Sequence, residues 1–171
     1  GALDLMTSLK DLGLRVVLLS GDRETSVAAM AARLEIQEHV SGVLPAEKVD
    51  YVQRLTDEGR HVLMVGDGLN DTGALAAAHV SISPAQALDA ARAASDIVLL
   101  GQDLSPIADA VATARKATKR INENFTIATV YNVIAVPLAV AGLATPLIAA
   151  LAMSTSSLTV SVNALRIGGK T

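Results

Sequence analysis

The 171-residue sequence has no cysteine and only three aromatic residues, Tyr51, Phe125 and Tyr131. Without cysteine, this segment cannot contain a disulfide scaffold, a cysteine-based zinc module or a cysteine nucleophile. The scarcity of aromatic rings leaves almost nothing on which nucleobases could stack, and the formal net charge of −3 is not that of a nucleic-acid-binding protein. Because 51% of the residues are hydrophobic, a disordered chain is also excluded. We therefore expect a folded protein with no nucleic-acid partner.

Charge is missing from one long stretch of the chain. The 42 residues from Asn124 to Leu165 include no Asp, Glu, Lys or Arg. As one helix they would extend about 63 Å, twice the thickness of a bilayer's hydrocarbon core. The sequence GLATP at 142–146 is typical of a tight turn. We therefore predict two transmembrane helices, near 124–142 and 147–166; the alternative is a buried helical hairpin in a soluble protein.

Basic residues flank both predicted spans. Four precede the first span and two follow the second: Arg115, Lys116, Lys119, Arg120, Arg166 and Lys170. By the positive-inside rule, both flanks lie in the cytoplasm and the turn lies outside. The sequence thus predicts a multi-pass protein of the cell (inner) membrane with the lipid bilayer as partner. Residues 1–123 and the C-terminal tail are expected to be cytoplasmic.

Residues 1–123 alternate between short apolar runs and helical patterns. The runs predict strands at 15–20, 61–66, 80–82 and 97–100, and the helical patterns lie after Asp22 to about Glu35 and near 46–58, 71–78 and 86–95. This alternation is typical of a parallel, doubly wound α/β sheet, in which ligands bind beyond the carboxyl ends of the strands. A further helix is predicted from Pro106 to Asn122, continuing into the membrane as a stalk. The predicted domains are therefore 1–104 (α/β), 105–123 (stalk) and 124–171 (the two spans and the tail).

The most informative motif is GDGLND, which ends the second apolar run. Gly66 and Gly68 bracket Asp67, where the backbone must turn sharply and let a ligand approach closely. Asp67 and Asp71 place two hard carboxylates beside that turn, which suits Mg²⁺. Asn70 can hydrogen-bond a phosphate or a ligated water. The motif predicts Mg²⁺-dependent phosphate chemistry, with an ordinary acidic turn as the alternative.

Two other positions match phosphate chemistry. The first apolar run ends in Ser20, Gly21 and Asp22. These residues place a hydroxyl and backbone N–H groups near the start of a helix, where the binding of an anion is favourable. Lys48, in the sequence LPAEK, offers a point charge to a phosphoryl oxygen. Taken alone, Lys48 also fits a solvated surface lysine.

In this order, Ser20-Gly-Asp, Pro45-x-x-Lys48 and the GDGLND motif resemble the phosphorylation domain of P-type ATPases, members of the haloacid-dehalogenase-like superfamily. The resemblance covers essentially the whole chain. It implies a partial phosphorylation domain with a Rossmann-like α/β fold, followed by a transmembrane hairpin. The family usually has Thr where this chain has Ser20, a change that keeps the hydroxyl.

The resemblance also implies a role for each matching residue. Asp67 is the expected Mg²⁺ ligand, supported by Asn70 and Asp71 within the turn formed by Gly66 and Gly68. The loop Ser20, Gly21 and Asp22 is expected to hold the phosphoryl group, and Lys48 to neutralise it.

Several family features are absent from the sequence. The Asp-Lys-Thr-Gly-Thr sequence with the phosphorylated Asp is missing, as are the nucleotide-binding and actuator domains. We therefore expect the C-terminal part of a longer protein, whose upstream part binds most of the ATP, and expect this segment alone to be inactive. After Asp71 the family usually has Ala-Pro, where this chain has Thr72-Gly73. The family also has a Gly-rich stretch around a Gly-Thr-Asp sequence. This chain has SPAQALD at 83–89 in its place, and only the aspartate, Asp89, matches. The departures after Asp71 resemble the nitrogen-fixation (FixI-like) pumps, which supply copper for cbb-type oxidase assembly.

Polar residues interrupt both predicted spans. Tyr131-Asn132 lies in the first, and Met153 and Ser157 lie on one face of the second. A thioether is a soft ligand that favours Cu(I), whereas a Zn²⁺ path is expected to have a carboxylate, which these spans lack. Both pieces resemble metal-site signatures of copper-transporting heavy-metal ATPases, which implies that these four residues bind Cu(I) together with a Cys-Pro-Cys sequence outside this segment. The alternative is ordinary helix packing by small polar residues and Met.

Together these features predict part of an ATP-driven P-type ATPase that moves Cu(I) out of the cytoplasm. Its Mg²⁺-dependent phosphoryl transfer is expected to use an Asp outside this segment, and a copper chaperone is a further expected partner. Two alternatives stay open: a membrane-tethered haloacid-dehalogenase-like phosphatase without transport, and a truncated, inactive pump fragment.

Overall fold

The computed structural model describes residues 1–101 and 103–166. The first part of the chain contains α1 (Ala2–Asp11), β1 (Val17–Leu19), α2 (Glu24–Arg33), β2 (Glu38–Val40), α3 (Pro45–Asp57), β3 (Leu63–Val65), a 3₁₀ turn (Leu69–Asp71), α4 (Thr72–Ala77), β4 (Val80–Pro84), α5 (Asp89–Ala94) and β5 (Ile97–Leu99). Two long helices follow, α6 (Pro106–Val140) and α7 (Pro146–Leu165). The chain divides into two compact units, Gly1–Ala108 and a second unit that begins at Asp109.

The strands of the first unit pair in parallel, as the alternation of strands and helices predicts. β1 pairs with β2, and β4 lies between β3 and β5, with Leu63 opposite Val80 and Ile82 opposite Ile97. The strands form two separate ladders rather than the single predicted sheet, because no strand among the described residues pairs with both β1 and β3. The mixed α/β class is confirmed, and the single continuous sheet is not observed.

One strand of the first unit was absent from the sequence prediction. β2 has Glu38 and His39 at two of its three positions, so it lacks the apolar run that marks the other strands. Its N-terminal end is held by Arg15, whose Nε donates to Glu38 Oε1 at 2.7 Å. Pairing with β1, and not the hydrophobicity of the segment, therefore fixes this strand.

Two apolar clusters hold the first unit together. In one, Leu5 and Leu9, one turn apart on α1, pack with Ile82 and with Ile107 at the start of α6. In the other, Leu75 of α4 packs with the small side chains Ala87 and Ala91 around α5. Each fully buried leucine contributes about 1.5–3 kcal/mol. The second cluster fixes the chain that follows β3, where the GDGLND motif lies.

The second unit contains the two helices that the charge-free stretch predicts. The turn between them has Gly142 at φ +73°, and Thr145 Oγ1 accepts from the N–H of Ile148 at 3.3 Å, capping α7. Both helices are long and apolar enough to cross a membrane. The predicted stalk and first span form the continuous helix α6. Lys170 and the predicted tail lie outside the described residues.

Candidate functional site

The GDGLND loop is anchored by backbone hydrogen bonds on both sides. Gly66 N–H donates to Ile82 O on β4 at 3.1 Å, and Asp67 O accepts from Leu88 N at 3.2 Å. Within the loop, Asp71 N–H donates to Gly68 O at 3.1 Å. The end of β3 is therefore fixed both to its neighbouring strand and to the start of α5.

The two glycines of this loop leave room for the Asp71 side chain. A β-carbon added at Gly66 would lie 2.7 Å from Asp71 Cβ, a separation that real side chains do not show. At Gly68 the added atom would lie 3.4 Å from Asp71 Oδ2, an ordinary contact. The close approach of Asp71 therefore requires glycine at position 66, whereas position 68 has room for a β-carbon.

Lys48 and Asp71 form a buried ion pair. Lys48 Nζ lies 2.6 Å from Asp71 Oδ1, and the two side chains are only 9% and 13% exposed. Lys48 lies in the first turn of α3, whose start is fixed by Pro45 and by Glu47 Oε2, which accepts from Leu44 N at 2.7 Å. The alternative of a solvated surface lysine is therefore wrong.

The second oxygen of the Asp71 carboxylate is also engaged, since Oδ2 accepts from the N–H of Gly68 at 3.3 Å. The carboxylate of Asp67 is exposed, and Asn70 is exposed beside it. Mg²⁺ commonly takes one or two carboxylates and completes its shell with phosphate and water. Asp67 fits that role as it stands, whereas Asp71 is held by Lys48 and Gly68. In the described part of the chain, no three His, Asp or Glu side chains group to hold a metal.

The loop after β1 is tied to the segment that leads into α3. Ser20 O accepts from Val43 N at 3.1 Å, and Asp22 O accepts from Gly42 N at 2.8 Å. The hydroxyl of Ser20 accepts from the N–H of Asp22 at 3.2 Å, which folds the loop back on itself. A β-carbon on Gly21 would lie 3.2 Å from Val43 O, so glycine suits this approach. The structure thus joins the Ser20 loop to the segment that precedes Lys48.

A second network braces the start of α2, which follows this loop. Glu24 accepts from the Ser41 hydroxyl, and its Oε1 lies 3.1 Å from His39 Nε2. The hydrogen bond from Ser41, followed by that from His39, lowers the pKa of Glu24 below its ordinary value. These contacts link α2 to the end of β2 and so support both sides of the Ser20 loop.

Gly73 is a further residue near Lys48 whose role the sequence prediction missed. A β-carbon there would lie 2.8 Å from Val49 Cγ2 on α3. Glycine at this position therefore lets α4 pack closely against the helix that carries Lys48. A glycine inside a helix, where it costs about 1 kcal/mol relative to alanine, is the signal that could have identified it.

In the second unit, a groove of about 470 Å³ lies between α6 and α7. Its lining residues are Ile127, Tyr131, Ile148, Leu151, Ala152, Thr155, Ser156 and Thr159. Of the four predicted copper ligands, only Tyr131 lies in this groove.

The other three predicted ligands lie outside the groove. Met153 is 69% exposed, and Asn132 and Ser157 are also exposed. The hairpin by itself does not bring the four residues together.

Asn132 and Met153 nevertheless share one side of the hairpin. Asn132 lies about 100° around α6 from groove-lining Tyr131, and Met153 lies about 100° around α7 from groove-lining Ala152. Because the two helices are antiparallel, these two rotations turn both side chains towards the same side. Ser157 lies about 40° further round α7.

Comparison with known proteins decides the family. The profile of the haloacid dehalogenase-like hydrolases matches residues 1–79. The nitrogen fixation protein FixI of Rhizobium leguminosarum bv. viciae is 51% identical over 99% of this chain, and a copper-exporting P-type ATPase of Mycobacterium tuberculosis is 42% identical over 97%. The chain belongs to the heavy-metal P-type ATPases. It spans 22% of the length of each of these two relatives.

Solved structures of heavy-metal P-type ATPases agree in fold. A zinc-transporting PIB-type ATPase in its E2·Pi state matches 96% of this chain and 27% of its own, with a TM-score of 0.88 and 32% identity. The catalytic domain of a CPx-ATPase, CopB-B, matches 65% of this chain and 44% of its own, with a TM-score of 0.62 and 36% identity. The predicted resemblance to heavy-metal P-type ATPases and the haloacid-dehalogenase-like fold are confirmed.

Proposed function

We propose that this chain is the part of a Cu(I)-translocating P-type ATPase that handles the transferred phosphoryl group and contributes the last two membrane helices. The observation that carries the proposal is the buried pair of Lys48 and Asp71, which leaves the carboxylate of Asp67 exposed in the same loop. A cation ligand and a fixed positive charge side by side are what phosphoryl transfer requires, because catalysis there consists of positioning and charge neutralisation.

Each loop residue has a distinct task in this proposal. Asp67 holds Mg²⁺ with Asn70 beside it, and the bound ion neutralises charge on the phosphoryl oxygens. Lys48 supplies a second positive charge, and Asp71 fixes its position. The hydroxyl of Ser20 and the backbone of Gly21 and Asp22 hold the phosphoryl group. The acceptor Asp and most of the ATP-binding surface belong to polypeptide outside these 171 residues.

The transported ion is Cu(I) in this proposal, although one structural relative is a zinc-transporting ATPase. The thioether of Met153 is a soft ligand, and the charge-free stretch from Asn124 to Leu165 offers no carboxylate for a harder cation. Since Asn132 and Met153 share one side of the hairpin, the site is completed by a membrane helix outside this chain that packs on that side. The copper-exporting relative supports the same choice of ion.

The proposed location is the cell (inner) membrane. Basic residues in the first half of α6, before its charge-free part, and Arg166 after α7 support cytoplasmic placement of residues 1–123 and of the tail. In this orientation Cu(I) leaves the cytoplasm, where a copper chaperone delivers it to the pump.

Metal-stimulated ATP hydrolysis by the purified full-length protein tests the proposal. We expect stimulation by Cu(I) and none by Zn²⁺, with Mg²⁺ required throughout. Hydrolysis of small phosphate esters without any response to either metal would instead indicate the membrane-tethered phosphatase. Stimulation by Zn²⁺ alone would contradict the assignment of copper.

A further inference from the structure

A polar cluster joins α6 and α7 at the end of the hairpin opposite the turn. Asn163 Nδ2 donates to Asn124 Oδ1 at 2.9 Å and to Glu123 Oε2 at 3.2 Å. The same Glu123 oxygen accepts from Arg120 Nη1 at 2.7 Å. We call these four residues, Arg120, Glu123, Asn124 and Asn163, the polar clasp. The clasp thus joins the two helices through one carboxamide.

Burial sets Asn163 apart from the rest of α7. Its exposed fraction is 8%, whereas its neighbours Val162 and Leu165 are 53% and 79% exposed, and it is the one buried residue of this helix. Buried side-chain amides are generally hydrogen-bonded, and the amide nitrogen of Asn163 donates to two acceptors. Polar contacts of this kind commonly fix the register of packed helices.

The acceptor in the clasp is a carboxylate. Hydrogen bonds from Arg120, and then from Asn163, lower the pKa of Glu123 below its ordinary value. Glu123 therefore stays ionised at neutral pH and accepts from both partners at once. A contact with a charged acceptor is stronger than one between neutral groups.

The clasp gives a common reference point for the depth of the residues in the proposed copper path. Counted from the clasp along each helix at about 1.5 Å per residue, Tyr131 and Asn132 lie about 11 and 12 Å away, and Ser157 and Met153 about 9 and 15 Å away. All four therefore lie within a layer little thicker than one helical turn. A slip of α7 by one turn would move both of its residues by about 5.4 Å and remove one of them from this layer, Met153 if α7 moves towards the connecting turn and Ser157 if it moves away from it.

We propose that Asn163 is a positioning residue that sets the axial register of α7 against α6 and so holds Met153 at the depth of Asn132. The inference rests on the proposed Cu(I) path. In this inference Asn163 is not a copper ligand and acts only through the position of α7.

The first test uses the full-length protein with Asn163→Leu, which removes both donors but keeps a side chain that branches at the γ-carbon. We expect the Cu(I) concentration for half-maximal ATP hydrolysis to rise about tenfold or more, as when a partner behind a metal ligand is lost. Thr159→Val is the matched control, because Thr159 lines the same groove but its hydroxyl donates to Thr155 O in its own helix. An unchanged half-maximal concentration in Asn163→Leu would overturn the inference.

The second test measures register without copper. Cysteines at Ile127 and Thr159 lie at matching depth across the groove, whereas cysteines at Ile127 and Thr155 are displaced by one turn. We expect a short bifunctional maleimide to link the first pair in preference to the second, and Asn163→Leu to remove that preference. Should Asn163→Leu fail to accumulate, Asn124→Ala removes one acceptor and is expected to weaken the preference in the same direction.

The outcomes of the two tests separate the inference from the proposed function. If the parent and Asn163→Leu cross-link the matched pair with equal preference, the role of Asn163 is overturned, regardless of how Cu(I) affects ATP hydrolysis. A parent protein that does not respond to Cu(I) would overturn the proposed function, while the cross-linking preference would still report on register.

Discussion

Lys48 Nζ lies 2.6 Å from Asp71 Oδ1, with both side chains almost fully shielded from water. The pair joins the first turn of α3 to the 3₁₀ turn that follows β3. Breaking a buried pair by removing one partner leaves an uncompensated charge, which costs more than the pair contributes. The relationship between these residues therefore serves the fold of the loop as well as its chemistry.

Removing the charge of Lys48 should destabilise the protein. We expect Lys48→Met to lower the free energy of unfolding by about 3–5 kcal/mol, because Asp71 is then buried without a partner. The double variant Lys48→Met/Asp71→Asn should recover much of this stability without recovering phosphorylation from ATP. Denaturant unfolding and phosphoenzyme assays of the full-length variants measure the two effects, and equal stability of the single variant and the parent would contradict the buried pair.

Replacement of the exposed carboxylate separates chemistry from stability. Asp67→Asn is expected to abolish Mg²⁺-dependent phosphoenzyme formation in the full-length protein, because a charged oxygen ligand is lost. Its stability should stay close to that of the parent, since the side chain is exposed. Asp4→Asn, an exposed change on α1, is the matched control. Normal phosphorylation of Asp67→Asn from ATP would disprove the assignment of Asp67 to Mg²⁺.

The two glycines of the loop should respond differently to alanine. Gly66→Ala forces a β-carbon against Asp71, and such overpacking costs about 1–3 kcal/mol. Gly68→Ala meets only an ordinary contact at 3.4 Å and should be much milder. Thermal unfolding of the two variants side by side gives the comparison. Similar losses in both would show that contact with Asp71 is not the reason for glycine at 66.

Acid should weaken the brace at the start of α2. The hydrogen bonds from Ser41 and His39 lower the pKa of Glu24 from its ordinary value of 4.5, so their stabilising effect is present above that pH and is lost as the pH falls through the lowered value. Glu24→Gln should remove this part of the acid dependence. Unfolding temperatures recorded below and above pH 4.5 measure it, with Asp4→Asn as control. An unchanged acid profile in Glu24→Gln would argue against the brace.

Much of the fold could be predicted because strong local patterns specify it. Apolar runs marked four of the five strands, and the lack of charge after Glu123 marked the end of α6 and both ends of α7 within a few residues. β2 was missed because Glu38 and His39 give it no apolar run. The split into two ladders was missed because the pattern of hydrophobic residues identifies strands but not which strands pair.

The candidate site was predictable in its residues and less so in its geometry. The spacing of glycines and carboxylates identified the loop. A lysine on a helix gives no sign of burial in the sequence, so only the structure could reveal the contact of Lys48 with Asp71. In the hairpin, Met153 and Ser157 share a face as their spacing requires. The apolar surface of α7 does not indicate which face meets α6, and the contact of Asn163 with Asn124 joins residues 39 positions apart.

Replacement of Met153 tests whether its sulfur matters for copper. Met153→Leu keeps the apolar volume and the helix propensity but removes the soft ligand, so Cu(I) affinity should fall while expression and membrane insertion stay nearly unchanged. Ser154→Ala is the neighbouring control, since the Ser154 hydroxyl donates within its own helix to Ala150 O at 2.9 Å. Cu(I) binding measured by competition with a chelator distinguishes the variants. Parental affinity in Met153→Leu would make Met153 a packing residue.

ATP-dependent metal uptake into inside-out membrane vesicles that contain the full-length protein tests the central claim most directly. We predict that Cu(I) accumulates in the vesicles when ATP and Mg²⁺ are present, that Zn²⁺ does not, and that Asp67→Asn abolishes the accumulation. Uptake of Zn²⁺ in place of Cu(I), or no metal uptake by a protein that still hydrolyses phosphate esters, would contradict the claim.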